Sequence, residues 1–217
     1  NSKYRGNWSP YIPRNIILRY SNEKDTVLDQ FIGGGTNLVE AKLNNRNGIG
    51  LDININAINI TKEKCNFECD NQVNIKIKQA DARDLNFLSD ESIDLICTHP
   101  PYANIINYNS DNENDLSNYN CNTFLLEMKK VANECYRVLR NKKYCAILIG
   151  DTRKKGMVQP LAFNTMQMFK DVGFKLKEII IKEQHNCRTT GFWKKNSIKY
   201  NFLLLAHEYL FVFKKDI

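Results

Sequence analysis

The sequence predicts an α/β fold: a seven-stranded, mostly parallel sheet with helices on both faces and an antiparallel hairpin at its C-terminal edge. Three observations carry this expectation. Strand-like apolar runs alternate with stretches of helical spacing along the whole chain. No internal repeat or low-complexity linker interrupts that alternation. The last two strand-like segments have no recognisable helix between them, so they are expected to pair antiparallel.

The elements follow in order. DTVLDQF (25–31) reads as a short buried strand, and TNLVEAKLNNR (36–46) has helical spacing at Leu38, Val39, Ala41 and Leu43. GIGLDI (48–53), VNIKIKQ (73–79) and SIDLICT (92–98) are the next three strands. NTFLLEMKKVANECYRVLR (122–140) is a long amphipathic helix, with Phe124, Leu125, Met128, Val131, Ala132, Cys135 and Leu139 on one side. YCAILIG (144–150) is the fifth strand, and PLAFNTMQMFKDVG (160–173) is a helix closed by Gly173. FKLKEIIIKE (174–183) and KYNFLLLAHEYLFVFKK (199–215) are the two terminal strand segments, with 184–200 read as their connecting loop.

A chain of 217 residues is expected to form a single domain over 1–217, with no separate recognition domain. No apolar run approaches the roughly 20 residues that span a bilayer, so no membrane partner is expected. The seven cysteines are scattered, and Cys65-x-x-x-Cys69 lacks zinc-knuckle spacing, so no metal is assigned and a reduced, cytoplasmic setting is expected. The net charge of +7 suits a polyanionic partner, although lysines also serve solubility.

Candidate ligand chemistry collects where strands end, which is where open parallel sheets bind ligands. Asp29 closes the first strand and Gly33-Gly34-Gly35 follow before the helix starts at Thr36. Glycine allows close backbone approach to a ligand, but equally suits a tight strand–helix turn. The spacing lacks the third glycine of a dinucleotide fingerprint, since Leu38 stands there. Asp52 ends the second strand, placed to accept ribose hydroxyls, and Asp81 follows the third, where it could accept an adenine amino group. A single such acid is often only a helix cap. Three of them at consecutive strand ends, with a glycine turn at the first, favour a nucleoside site. The fourth strand ends in Thr98-His99-Pro100-Pro101-Tyr102. The prolines lack N–H donors while keeping their carbonyl acceptors, and the tyrosine offers a rigid stacking surface.

Asp-x-Phe-x-Gly-x-Gly-Thr followed by Pro-Pro-Tyr resembles the amino-group DNA methyltransferases, adenine-N6 and cytosine-N4, which use S-adenosyl-L-methionine. The resemblance spans nearly the whole chain. It implies a Rossmann-like class I methyltransferase fold. WSPYIPRNIILRYS (8–21) resembles the family's helix before the glycine turn, and HEYLFVFKK (207–215) its closing strand. Asp29 then matches the acid at the methionine end, Gly33 and Gly35 the loop glycines, Asp52 the ribose acid and Asp81 the adenine-side acid. Tyr11, Phe31, Thr36, Ile53 and Ala82 are assigned to the cofactor with them. The cofactor motif precedes the Pro-Pro-Tyr motif, which is one of the family's circular orders.

The resemblance gives His99, Pro100, Pro101 and Tyr102 the catalytic positions. The family usually has Asp, Asn or Ser where this chain has His99. An exocyclic amine is a weak nucleophile because its lone pair is delocalised. Holding its hydrogens on two acceptors, the side chain at 99 and the Pro100 carbonyl, aims that lone pair at the methyl group. His99 accepts only as neutral imidazole, with an ordinary pKa near ~6.5. The target base would leave the duplex and stack on Tyr102. Arg188, Trp193, Lys194, Lys195 and Lys199 mix cations with an aromatic and are assigned to nucleic acid, against the alternative of a solvated loop. Methyl transfer to DNA is the leading expectation, adenine N6 ahead of cytosine N4. RNA base methylation and a non-catalytic, nucleic-acid-binding subunit are the alternatives. A partner subunit or a homodimer stays open.

Overall fold

In the computed structural model, which describes residues 8–70, 72–102, 114–185 and 190–216, the alternation closes into one main sheet. Helix α1 (Tyr11–Tyr20) precedes β1 (Thr26–Asp29), α2 (Thr36–Leu43), β2 (Asn47–Asp52) and α3 (Ile55–Cys65). Then come β3 (Ile75–Gln79), β4 (Ile93–Thr98), α4 (Cys121–Val138) and β5 (Leu139–Ile149). A small antiparallel ribbon of β6 (Thr152–Lys154) and β7 (Met157–Gln159) leads into α5 (Leu161–Val172). β8 (Lys175–Glu183), α6 (Thr190–Lys199) and β9 (His207–Lys214) follow. The seven main strands lie in the order β3-β2-β1-β4-β5-β9-β8. The first five pair parallel, and β9 is antiparallel to both β5 and β8.

The apolar patterning explains the layering. All six residues of β4 are buried, as expected of a central parallel strand covered on both faces. Leu95 and Cys97 pack with Ile16 and Ile17 of α1 and Ala41 of α2 on one face. Ile96 joins Phe124, Met128 and Val131 of α4 and Phe169 of α5 on the other. Each fully buried side chain of this size contributes about 1.5–3 kcal/mol. In β2, a Cβ at Gly50 would overlap Leu38 of α2, so this strand glycine lets the helix settle closely on the sheet.

Three segments depart from the expectation. Residues 54–72 suggested no element, yet they contain α3. Its sparse buried set is Ala57, Ile58, Thr61 and Cys65, and its start is capped by the Asn54 side chain accepting from the Asn56 N–H. The connection 184–200 is not a plain loop, because it carries α6, whose described side chains are mostly solvent-exposed. The terminal strand begins at His207 rather than near 199. The six described cysteines are all free. No helix among the described residues is long and apolar enough to cross a membrane.

Candidate active site

Parallel register brings the carboxyl ends of β1, β2 and β4 together, and the predicted groups meet there. Asp29 is 2% exposed. Its carboxylate accepts from Thr98 Oγ1 at 2.7 Å, Asn37 Nδ2 at 2.5 Å and the Phe31 N–H at 3.1 Å. Asn37 also donates to the Cys97 carbonyl at 2.7 Å. Asp29 therefore ties β1, β4 and the first turn of α2 into one unit. Burial pushes its carboxyl up to about 6, against the hydrogen bonds from Thr98, Asn37 and Phe31.

The glycine turn closes directly onto Asp52. The Gly33 N–H donates to Asp52 Oδ2 at 3.0 Å, and the Asn54 N–H to Oδ1 at 2.9 Å. Burial likewise raises this carboxyl to about 6, opposed by those two backbone donors. Gly35 sits at φ 79° at the start of α2, a left-handed conformation that favours glycine. A Cβ there would lie 2.7 Å from Thr61 Cγ2. The loop carbonyls are held from α3: Thr61 Oγ1 donates to Gly33 O at 3.2 Å and Lys64 Nζ to Gly34 O at 2.7 Å. Thr36 opens α2, and the Ile53 carbonyl accepts from Gln79 Nε2 at 3.0 Å.

Asp81 lies beside the third strand end but is not solitary. Arg83 clamps both its oxygens, with Nη2 2.6 Å from Oδ2, and extends Nη1 to Glu127 at 2.6 Å. Burial alone would raise the Asp81 carboxyl, but hydrogen bonds from Arg83 outweigh it and the net shift is downward. Asp81 thus enters the site as half of an ion pair, and Ala82 is buried in the core. Tyr11, at the first position of α1, is 67% exposed, with the Arg14 guanidinium 5.8 Å from its ring.

The Thr98–Tyr102 stretch stands next to the glycine turn through the Thr98–Asp29 bond. His99 Nε2 lies 2.9 Å from the Tyr102 hydroxyl. That hydroxyl donates to Glu208 Oε1 of β9, and Lys182 Nζ of β8 donates to Glu208 Oε2. The Trp8 ring lies 5.5 Å from the imidazole, centroid to centroid. Burial pushes the His99 imidazole down to about 4, with Glu208 opposing and Lys182 assisting. The ordinary value near 6.5 expected from sequence is thereby corrected, and the ring is neutral at pH 7. The Tyr102 ring rests against the Gly150 backbone after β5. No backbone donor among the described residues reaches the Pro100 carbonyl. Sequence reasoning missed Glu208, Lys182 and Trp8. The one available signal was an acid set inside the apolar run of β9.

The nucleic-acid residues fall on α6 and stay apart from this network. Trp193, Lys194, Lys195 and Lys199 are exposed there, and Arg188 lies outside the described residues. Trp193 meets Phe192 and Phe202 edge-on, at 5.3 and 6.5 Å. Arg153 of β6 covers the Phe202 ring at 5.1 Å and donates to the Leu203 carbonyl at 3.0 Å, docking the β6–β7 ribbon on the segment after α6.

The donor set fits S-adenosyl-L-methionine: a backbone turn and two carboxyls, the buried Asp29 and the half-buried Asp52 onto which the turn closes. Above pH 6 both carboxylates are ionised and favour a cationic, hydroxyl-bearing ligand. As pH falls through 6 they protonate, and affinity for the cofactor is expected to fall by about tenfold per pH unit for each acid that must release its proton. Asp52→Ala is expected to cost about 1.5–3 kcal/mol of cofactor binding and to reduce that pH dependence. Titration calorimetry between pH 5 and 8 checks both; unchanged affinity in Asp52→Ala removes the ribose assignment.

The DNA methylase family matches residues 2–63 and 93–216, leaving out the segment that holds Asp81 and Ala82. An orphan methyltransferase, M.BamHII of Bacillus amyloliquefaciens, is 32% identical over 128 residues, covering 59% of this chain and 40% of that protein. A tRNA (guanine(10)-N2)-dimethyltransferase of Methanothermobacter thermautotrophicus is 35% identical over 101 residues, covering 46% of this chain and 29% of its own length. The chain thus spans well under half the length of either curated relative. Among solved structures, a SAM-dependent methyltransferase of Methanosarcina mazei superposes with a TM-score of 0.65 at 16% identity, covering 93% of this chain and 97% of that one.

Proposed function

Since this chain belongs to the DNA methylase family of S-adenosylmethionine-dependent amino-methyltransferases, we propose that it methylates an exocyclic amino group of a base in DNA, adenine N6 ahead of cytosine N4. The observation that carries this reading is the Thr98–Asp29 hydrogen bond, which sets the His99-Pro100-Pro101-Tyr102 stretch beside the glycine turn. S-adenosylmethionine, when bound, supplies an electrophilic methyl group on its sulfonium. The chain's own residues do the rest. His99 and the Pro100 carbonyl accept the two amine hydrogens, so the lone pair faces the donor. Positioning of this kind is worth up to about 7–11 kcal/mol. Asp29 and Asp52 hold the glycine turn in register with that acceptor pair. Tyr102, the flat ring of the Pro-Pro-Tyr element, stacks on the extruded base.

A single methyltransferase domain over these 217 residues, and its work in a cytoplasmic setting, belong to the same proposal. Recognition falls to α6. Replacing Lys194 and Lys195 together with Ala is expected to weaken DNA binding and to lower the salt slope by about two phosphate contacts. An unchanged slope in a fluorescence-anisotropy salt titration makes α6 a solvated connection only.

RNA is the second reading, favoured by the tRNA methyltransferase relative. A methyl-acceptor assay with duplex DNA against structured RNA separates the two: DNA is expected to take the label, and label in RNA alone reverses the assignment. A non-catalytic subunit would have no use for a glycine turn closed on a ribose-type acid, and label in either nucleic acid removes it.

A further inference from the structure

We propose that Glu208 and Lys182, acting through Tyr102, are positioning residues that hold His99 in a single tautomer, with hydrogen on Nε2 and the lone pair on Nδ1. The inference rests on the reading of His99 as the amine's acceptor and adds which nitrogen accepts.

The argument is a count of hydrogens. Three polar groups, two from the stretch after β4 and one from β9, form a line: His99 Nε2, the Tyr102 hydroxyl and Glu208, whose other oxygen meets Lys182. Burial would raise the Glu208 carboxyl, but hydrogen bonds from Lys182 and Tyr102 outweigh it, and it is held below the usual carboxylate range. A carboxylate only accepts. Its bond to Tyr102 must therefore use the single hydroxyl hydrogen of the tyrosine. That hydrogen is then not available for His99, so the 2.9 Å contact requires Nε2 to donate to the tyrosine oxygen. A neutral imidazole carries one ring hydrogen. Nδ1 is left bare, and no hydrogen bond from the described residues reaches it. An aspartate or asparagine at this position would offer an oxygen in either orientation. Histidine accepts at one nitrogen only in the right tautomer, and this line of residues selects it.

The charged groups facing the ring come from two strands. Glu208 projects from β9, with its Oε1 3.9 Å from Nε2, and Lys182 projects from β8. The segment before α1 contributes the uncharged Trp8. The Tyr102 ring lies beside Gly150, which follows β5. Glu208 is 4% exposed, so water does not compete readily for the tyrosine hydrogen. Lys182 keeps Glu208 ionised and therefore accepting.

The test reads the ring directly. Long-range proton–nitrogen correlation spectra of the full chain, labelled with nitrogen-15 in histidine, distinguish protonated from bare ring nitrogens. The sequence holds three histidines, His99, His185 and His207, and His99→Asn assigns the first by loss of its signals. At pH 7 the wild-type His99 ring is expected to show one tautomer, with Nε2 protonated. In Glu208→Gln the amide can donate to the tyrosine oxygen, freeing the hydroxyl hydrogen for Nε2, so the Nδ1-protonated form is expected to appear. In Tyr102→Phe the Nε2 hydrogen loses its acceptor, and its resonance is expected to vanish by exchange with water. A wild-type ring protonated on Nδ1, or a Glu208→Gln ring identical to wild type, overturns the inference. A poorly folded variant leaves the wild-type spectrum as a sufficient test. These outcomes are independent of the acceptor reading itself, which fails instead if His99→Ala transfers methyl groups at the wild-type rate.

Discussion

His99→Ala is expected to bind S-adenosylmethionine as the wild type does while transferring methyl groups about a hundredfold more slowly in single turnover. The loss follows from geometry rather than charge. The imidazole is neutral at working pH because burial holds its pKa at about 4. In the proposed role it is a fixed acceptor for one amine hydrogen, and without it the Pro100 carbonyl alone would leave the amine free to rotate. His99→Asn is expected to keep more activity, because an amide oxygen can accept in its place. The wild-type rate at saturating cofactor is expected to stay level from pH 8 to about 5 and to fall below that. The sign follows from the acceptor role: protonation fills the lone pair, so activity belongs to the form present above the folded pKa. A limb near 6 is instead expected in the cofactor-limited rate, where Asp29 and Asp52 titrate. A His99→Ala rate and acid limb equal to wild type remove His99 from the reaction.

Gly35→Ala is the second large effect. Its φ of 79° costs an L residue about 1–2 kcal/mol. The added methyl would press on Thr61 of α3, which is fully buried and whose hydroxyl also holds the Gly33 carbonyl. Overpacking of this kind costs about 1–3 kcal/mol. The variant is expected to lose about 2–5 kcal/mol of stability in urea unfolding and most of its cofactor affinity, because the same shift displaces the turn from Asp52. Adding Thr61→Ala is expected to restore the overpacking part and leave the left-handed strain. A double variant no better than Gly35→Ala places the whole cost in the backbone; a single variant as stable as wild type removes both causes.

The central strands were legible in the sequence because strands buried on both faces must be apolar runs, and each of the seven predicted strand segments became a strand of the main sheet. The glycine turn and the acids at the strand ends beside it were legible as residue types that serve packing poorly, and the structure brings Gly33 onto Asp52. α3 and α6 were not. α3 buries Ala57, Ile58, Thr61 and Cys65 on one face, and only Ile58 among them is a large apolar residue, so no apolar stripe stood out. α6 is exposed nearly all round, so no face of it had to be apolar. Partnerships across the chain were also hidden. Glu208 meets Tyr102 across 106 positions, and Arg83, two residues from Asp81, reaches on to Glu127 across 44. Such pairings are set by how strands stack, and a linear reading carries no record of that.

The position of the transferred methyl tests the central claim most directly. The chain is incubated with methyl-labelled S-adenosylmethionine and duplex DNA, the DNA is digested to nucleosides, and the labelled nucleoside is identified by mass and chromatography. The acceptor pair of His99 and the Pro100 carbonyl predicts label on an exocyclic nitrogen, as N6-methyladenine or N4-methylcytosine. Label on a ring carbon or a ring nitrogen would contradict it, since neither atom presents amine hydrogens for those two acceptors to hold.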